Sequence, residues 1–211
     1  QIVRPGICQD VPLVRNWRLV HDYSLAGRPP GSTWCNGAWG GQGPQNRYGR
    51  QAWIFGSDWN SFWIDIPGDI RAARTYAIQA DIYIPSGDRE LTFEINRIRP
   101  VCNQSGNGLI VKATSGRGPD APYFRVTDAI RNRIEYEDRN PGIFDRWVTV
   151  RYEIYRDTSE VVMYIDNEIV SCFDADPRAL EGPHVKFNAN TSCCRLQPLT
   201  GASKLQFLLP Q

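Results

Sequence analysis

Apolar and polar residues alternate with a period of two along four segments of the chain. In 61–66, Phe62, Ile64 and Ile66 fall on one side, Trp63 and Asp65 on the other. In 76–84, Tyr76, Ile78, Ala80, Ile82 and Ile84 oppose Ala77, Gln79, Asp81 and Tyr83. Leu91, Phe93 and Ile95 oppose Thr92, Glu94 and Asn96, and Val148, Val150, Tyr152 and Ile154 oppose Thr149, Arg151, Glu153 and Tyr155. Successive side chains of a strand point to opposite faces, so this period predicts half-buried strands. Clusters of Gly, Pro, Asp, Asn and Ser at 67–69, 85–88, 156–159 and 166–167 predict the turns between strands.

Helical stretches are scarce. Only 128–131 and 176–180 suit a turn or two of helix, the latter with Asp176 as N-cap and Pro177 at the first helical position. Many strands without βαβ alternation predict an all-β fold, an antiparallel β-sandwich. No repeat, linker or shift in composition interrupts the chain, so one domain over 1–211 is expected. The segment at about 27–50, rich in Gly and Trp and apolar only at its aromatics, reads as one long loop.

A chain of 211 residues and 24.0 kDa is long enough to build a substantial core. A hydrophobic share of 41% with 22% charged residues excludes disorder, and no apolar run approaches the roughly 18 residues of a membrane span. With 24 Lys+Arg against 23 Asp+Glu, the net charge of +1 argues against nucleic acid or an anionic membrane as main partner. The six cysteines are Cys8, Cys35, Cys102, Cys172, Cys193 and Cys194, and with a single Met they suit an oxidising compartment and up to three disulfides. Their spacing matches no zinc site, and His21 and His184 stand alone. A secreted, periplasmic or extracellular location follows. Because the sequence starts at Gln1 without an initiator Met, a processed product or excised piece of a larger protein is expected.

Three stretches carry a resemblance. The run from Phe144 through Trp147 and Tyr155 to Val161-Val162-Met163-Tyr164-Ile165-Asp166-Asn167 resembles the hallmark hairpin of laminin-G-like, concanavalin A-like jelly rolls. Gln51-Ala52-Trp53-Ile54-Phe55-Gly56, followed by Trp63-Ile64-Asp65-Ile66-Pro67, is similar to the early hairpin of the same superfamily, and 75–83 to its next strand. Together they span roughly residues 50 to 174 in the right order. The resemblance implies the concanavalin A-like lectin/glucanase fold, with Trp147 as a core residue. It leaves activity open, because that superfamily holds lectins, binding modules and polysaccharide-degrading enzymes.

Five of the seven tryptophans crowd into Trp34, Trp39, Trp53, Trp59 and Trp63, interleaved with amides and arginines. A flat indole matches the C–H face of a sugar ring, and neighbouring polar groups match its hydroxyls. Trp63 is the strongest candidate because it lies opposite the apolar row; Trp34, Trp39 and Trp59 serve equally well as plugs for the ends of a sandwich. The second candidate is the polar side of the strands: Asp65, Gln79, Asp81, Tyr83, Glu94, Asn96, Arg151, Glu153 and Tyr155. If these strands are neighbours, the residues share one face that can orient a saccharide; a solvated face with cross-strand ion pairs is the plainer reading.

Catalysis lacks a signature. Glu135-Tyr136-Glu137-Asp138 has the wrong spacing for the glucanase branch, and the Gln-x-His strand of the alginate-lyase branch is missing. If the chain is an enzyme, Asp81, Glu94 and Glu153 are the carboxylates to flank a glycosidic bond. No cofactor is expected; the resemblance leaves room for calcium held at loop ends, and Asp58, Asp69, Asp88 and Asp120 lie in loops, but no dense acidic loop assigns a residue. The reading favoured is a non-catalytic recognition domain of a larger secreted or cell-surface protein with a carbohydrate or cell-surface glycan as partner. A polysaccharide hydrolase or lyase and a protein-binding domain are its rivals.

Overall fold

A computed structural model describes residues 11–35, 43–55, 60–87, 89–100, 102, 106–116, 120–191 and 199–211. They form two antiparallel sheets. The eight-stranded sheet runs β13 (Glu168–Asp174), β12 (Glu160–Ile165), β11 (Trp147–Tyr155), β6 (Thr75–Tyr83), β15 (Gly201–Pro210), β4 (Arg50–Ile54) and β3 (Gly43–Arg47), with β1 (Trp17–Ser24) also paired to β15. The seven-stranded sheet runs β10 (Arg133–Asp138), β9 (Tyr123–Asp128), β8 (Leu109–Thr114), β7 (Arg89–Arg97), β14 (His184–Thr191), β5 (Ser61–Asp65) and β2 (Ser32–Cys35). The fold is an all-β antiparallel sandwich of the concanavalin A-like jelly-roll type.

The apolar rows of both sheets meet between them. Phe62 and Ile64 of β5, Phe93 and Ile95 of β7, Ile78 and Ile82 of β6, and Val150 and Tyr152 of β11 lie in one buried cluster. The rings of Phe62, Phe187 and Phe93 form a continuous stack, with centroids 5.0 and 4.6 Å apart. Each such ring contributes about 1.5–3 kcal/mol of burial. The hairpin between β12 and β13 turns on Asp166 and Asn167 at φ 50° and 67°, the positive values that a two-residue turn between twisted strands demands.

The structure corrects four expectations. The long loop at 27–50 contains β2 and β3, which join opposite sheets; at four and five residues both are too short to show a period, and β3 opens on Gly-Pro. The turn at 67–69 opens a helix, α1 (Gly68–Ala72), whose Ile70 plugs one end of the core. Residues 129–132 form a turn rather than a helix, whereas Pro177–Leu180 is a 3-10 turn with Asp176 accepting the Arg178 N–H. Trp147 is not a core residue: it pairs with Tyr83 on the outer face of the eight-stranded sheet and donates its indole N–H to the Tyr48 carbonyl at 2.9 Å.

Candidate functional site

The predicted polar face is two faces. Gln79, Asp81 and Tyr83 of β6 and Arg151, Glu153 and Tyr155 of β11 share the outer face of the eight-stranded sheet, where Arg151 sits opposite Gln79. Asp65 of β5 and Glu94 and Asn96 of β7 belong to the other sheet. The hydrophobic core lies between the two sets, so Asp81, Glu94 and Glu153 cannot flank one bond. The period of two shows that a residue points outward, but not from which layer.

On the eight-stranded sheet the polar residues serve mainly one another. Asp81, 3% exposed, is held by Arg50 at 2.8 Å, the Thr149 hydroxyl at 2.7 Å and Lys204 at 3.5 Å. Glu153 accepts from the hydroxyls of Tyr155 and Tyr164 at 3.0 and 3.2 Å, with Arg151 Nε 3.1 Å away. Burial raises the Glu153 carboxyl despite Arg151, and the Tyr164 phenol is pushed up to about 12 by burial and by Glu153. Val11, Leu13 and Val14 pack over Tyr155 and Tyr164, closing this end of the face to a ligand. Gln79 donates to Gln206, which donates to Asp22, at 2.8 and 3.1 Å. Tyr83 stacks on Tyr48 with centroids 3.7 Å apart, and Trp147 meets both edge-on. Nothing local in the sequence marks Tyr48, Arg50, Trp147 and Lys204 as part of this face, because their partners are distant in sequence.

Two further predicted residues are structural. Trp34 faces inward, wedged between Trp53 and Phe62 at centroid distances of 3.9 and 4.0 Å, and is no ring platform. Asn96, at φ 56°, bridges the sheets by accepting from the Tyr76 hydroxyl and donating to the Gly182 carbonyl at 3.1 and 2.9 Å. Trp39 and Trp59 lie outside the described residues.

The outer face of the seven-stranded sheet is different in kind. Register places Thr33, Trp63, Lys186 and Glu94 in one cross-strand row, and Ser61, Asn188, Thr92 and Lys112 in the next. Trp63 is half-buried, while Ser61, Asn188, Thr92, Glu94 and Lys186 are all buried. Three buried atoms on this face, Ser61 Oγ, Asn188 Oδ1 and Glu94 Oε2, have no hydrogen bond. Buried polar atoms in a folded protein are nearly always satisfied, so three beside one indole are an exception to that rule. At the end of β5, Asp65 Oδ1 lies 2.8 Å from His184 Nδ1. Strand β14 carries Lys186 and Asn188, and its signal was in the sequence: Val185, Phe187 and Ala189 alternate with Lys186, Asn188 and Asn190.

A strap crosses this face. Cys102, in the connection from β7 to β8, forms a disulfide with Cys35 on β2, so the connection reaches over β14 and β5. That span is three strand spacings, about 14 Å. Beneath it Glu94 Oε1 accepts the Gly106 N–H at 2.8 Å and Arg97 Nη1 at 3.2 Å, and Lys186 Nζ lies 3.9 Å from Glu94 Oε2. A Cβ on Gly106 would sit 1.5 Å from Arg97 Nη1, so a larger residue there would require the guanidinium to shift. Burial lowers the Lys186 ammonium to about 8, with Arg97 adding and Glu94 opposing; burial raises the Glu94 carboxyl against both cations. Cys172 is also disulfide-bonded, and Cys8, Cys193 and Cys194 lie outside the described residues. No group of three or more His, Cys, Asp or Glu gathers to hold a metal ion among the described residues. Asp69 is engaged by His21 and Asp120 by Arg139, while Asp58 and Asp88 lie outside those residues.

These two layers define a concanavalin A-like sandwich, and comparison with solved structures places the chain among proteins of that shape. It is similar to the carbohydrate recognition domain of Emp47p at 17% identity, with a TM-score of 0.57 over 89% of this chain and 94% of that one. It is similar to the CBM2 module of the evolved Dit of Lactobacillus casei BL23 phage J-1 at 10% identity, with a TM-score of 0.61 over 93% and 97%. The laminarinase of Rhodothermus marinus is 13% identical, with a TM-score of 0.58 over 92% and 97%. No family model matches the chain, and no curated protein sequence does either.

Proposed function

We propose that this chain is a carbohydrate-recognition domain whose saccharide lies on the outer face of the seven-stranded sheet, against Trp63 and across Ser61, Asn188 and Thr92. The observation that carries the reading is the set of buried polar atoms left without hydrogen bonds beside that indole. Sugar hydroxyls both donate and accept, so they suit a serine hydroxyl and an amide oxygen, while the ring's C–H face covers the indole. Two structural neighbours, a carbohydrate recognition domain and a laminarinase, support the same ligand class. In this reading the span 1–211 is one non-catalytic domain of the laminin-G-like branch, part of a larger secreted or cell-surface protein, and the Cys35–Cys102 bond suits an oxidising compartment. No helix among the described residues is long and apolar enough to cross a membrane.

The test is a glycan array followed by calorimetric titration of the best saccharide. Trp63→Ala is expected to weaken binding at least about tenfold, the loss of one aromatic contact and its burial. Asn188→Ala is expected to weaken it about fivefold to thirtyfold. Binding to no saccharide, or full affinity in both variants with unchanged melting temperature, overturns the reading.

A further inference from the structure

At one end of the sandwich an open cleft of about 470 Å³ is lined by Gly68, Arg71, Ala72, Arg74, Arg156 and Glu181. Three arginines face a single glutamate there, in a protein whose net charge is only +1. Arg156 is fixed in place: its guanidinium donates to the carbonyls of Leu180 at 3.1 Å, Ala73 at 3.0 Å and Arg71, and to the Tyr76 hydroxyl at 3.3 Å. It also stacks over the Tyr76 ring, 4.6 Å from the centroid. Every one of these acceptors is neutral. Among the described residues, no carboxylate forms an ion pair with Arg156 or with Arg71, whereas Arg74 is paired with the exposed Asp157 at 2.8 Å.

A locked cation without a carboxylate, beside two exposed arginines on a concave wall, is a surface that attracts negative charge. Small residues at 68 and 72 leave the room, and the planar fork of a guanidinium matches the paired oxygens of carboxylate, sulfate or phosphate. We propose that this cleft binds an oxyanionic group, with Arg71 and Arg74 as its movable clamps and Arg156 as its fixed positive wall. Glu181 opposes the same anion and sets an upper limit on affinity. The proposal stands apart from the saccharide face around Trp63, which lies on different residues.

Calorimetry at low and physiological salt tests it with three probes: sulfated dextran, neutral dextran and inorganic sulfate. The sulfated polymer is expected to bind, weakening as salt rises, and neutral dextran is expected not to reach this cleft. The Arg71→Ala/Arg74→Ala double variant should lose at least about tenfold, and Glu181→Gln should gain severalfold, each about 1 kcal/mol or more in binding free energy. Arg71 and Arg74 are exposed, so neither change should move the melting temperature. Competition by inorganic sulfate would show that the ion alone suffices, and its failure to compete that the polymer carrier adds contacts; both support the cleft. Trp63→Ala must leave sulfated-dextran binding intact, which separates this test from the saccharide reading. Failure of the sulfated polymer to bind, or binding indifferent to both the double variant and Glu181→Gln, overturns the proposal.

Discussion

Tyr152 illustrates how a single buried atom can be judged by its surroundings. Its ring packs against Phe93 in the core, yet its hydroxyl is buried without a hydrogen bond. An unmatched hydroxyl carries its desolvation penalty with no return, so Tyr152→Phe should leave stability unchanged or raise it by about 1 kcal/mol. Urea denaturation checks this, and a loss above about 1 kcal/mol would contradict it. Lys186 makes a second prediction. Its folded-state value of about 8 lies below the value near 10.4 of an unfolded lysine. Between those pH values the unfolded chain binds more protons, so the contribution of Lys186 to stability rises with pH across that window. In Lys186→Met that part of the rise should vanish, and identical pH profiles for the two proteins from 8 to 10 would refute the buried ammonium.

At the scale of elements, the strap is the feature with the largest energetic consequence. The Cys35–Cys102 bond closes a separation of 67 residues, so removing it in Cys35→Ala/Cys102→Ala should cost about 2–4 kcal/mol and loosen the cover over Glu94 and Lys186. Equilibrium unfolding with an unchanged midpoint would show that the strap does not constrain the chain. The sequence made the existence and facing of β5, β6, β7 and β11 legible, because long alternations record the core side directly. It does not reveal β2, which is four residues long, whereas the alternation of β14 is clean. Nor could it say that Trp34 points inward, because the pairing Trp34–Phe62 joins residues 28 positions apart. Gly182 shows the same dependence on distant chain: a Cβ there would lie 2.0 Å from the Asn96 carbonyl oxygen, so Gly182→Ala should destabilise by several kcal/mol, read as a fall in melting temperature.

Among the described residues both outer faces carry polar residues, and they differ in how those residues are partnered. The eight-stranded sheet closes its carboxylates with Arg50, Lys204 and the tyrosine pair, and covers its far end with residues 11–14. The seven-stranded sheet keeps serine, amide and carboxylate atoms unsatisfied beside an indole. The most direct measurement is a map of amide chemical-shift changes as a bound oligosaccharide is titrated into the isotopically labelled protein. The account predicts shifts concentrated on β5, β14 and β7 around Trp63 and Asn188. Shifts concentrated on β6, β11 and β15 would contradict it.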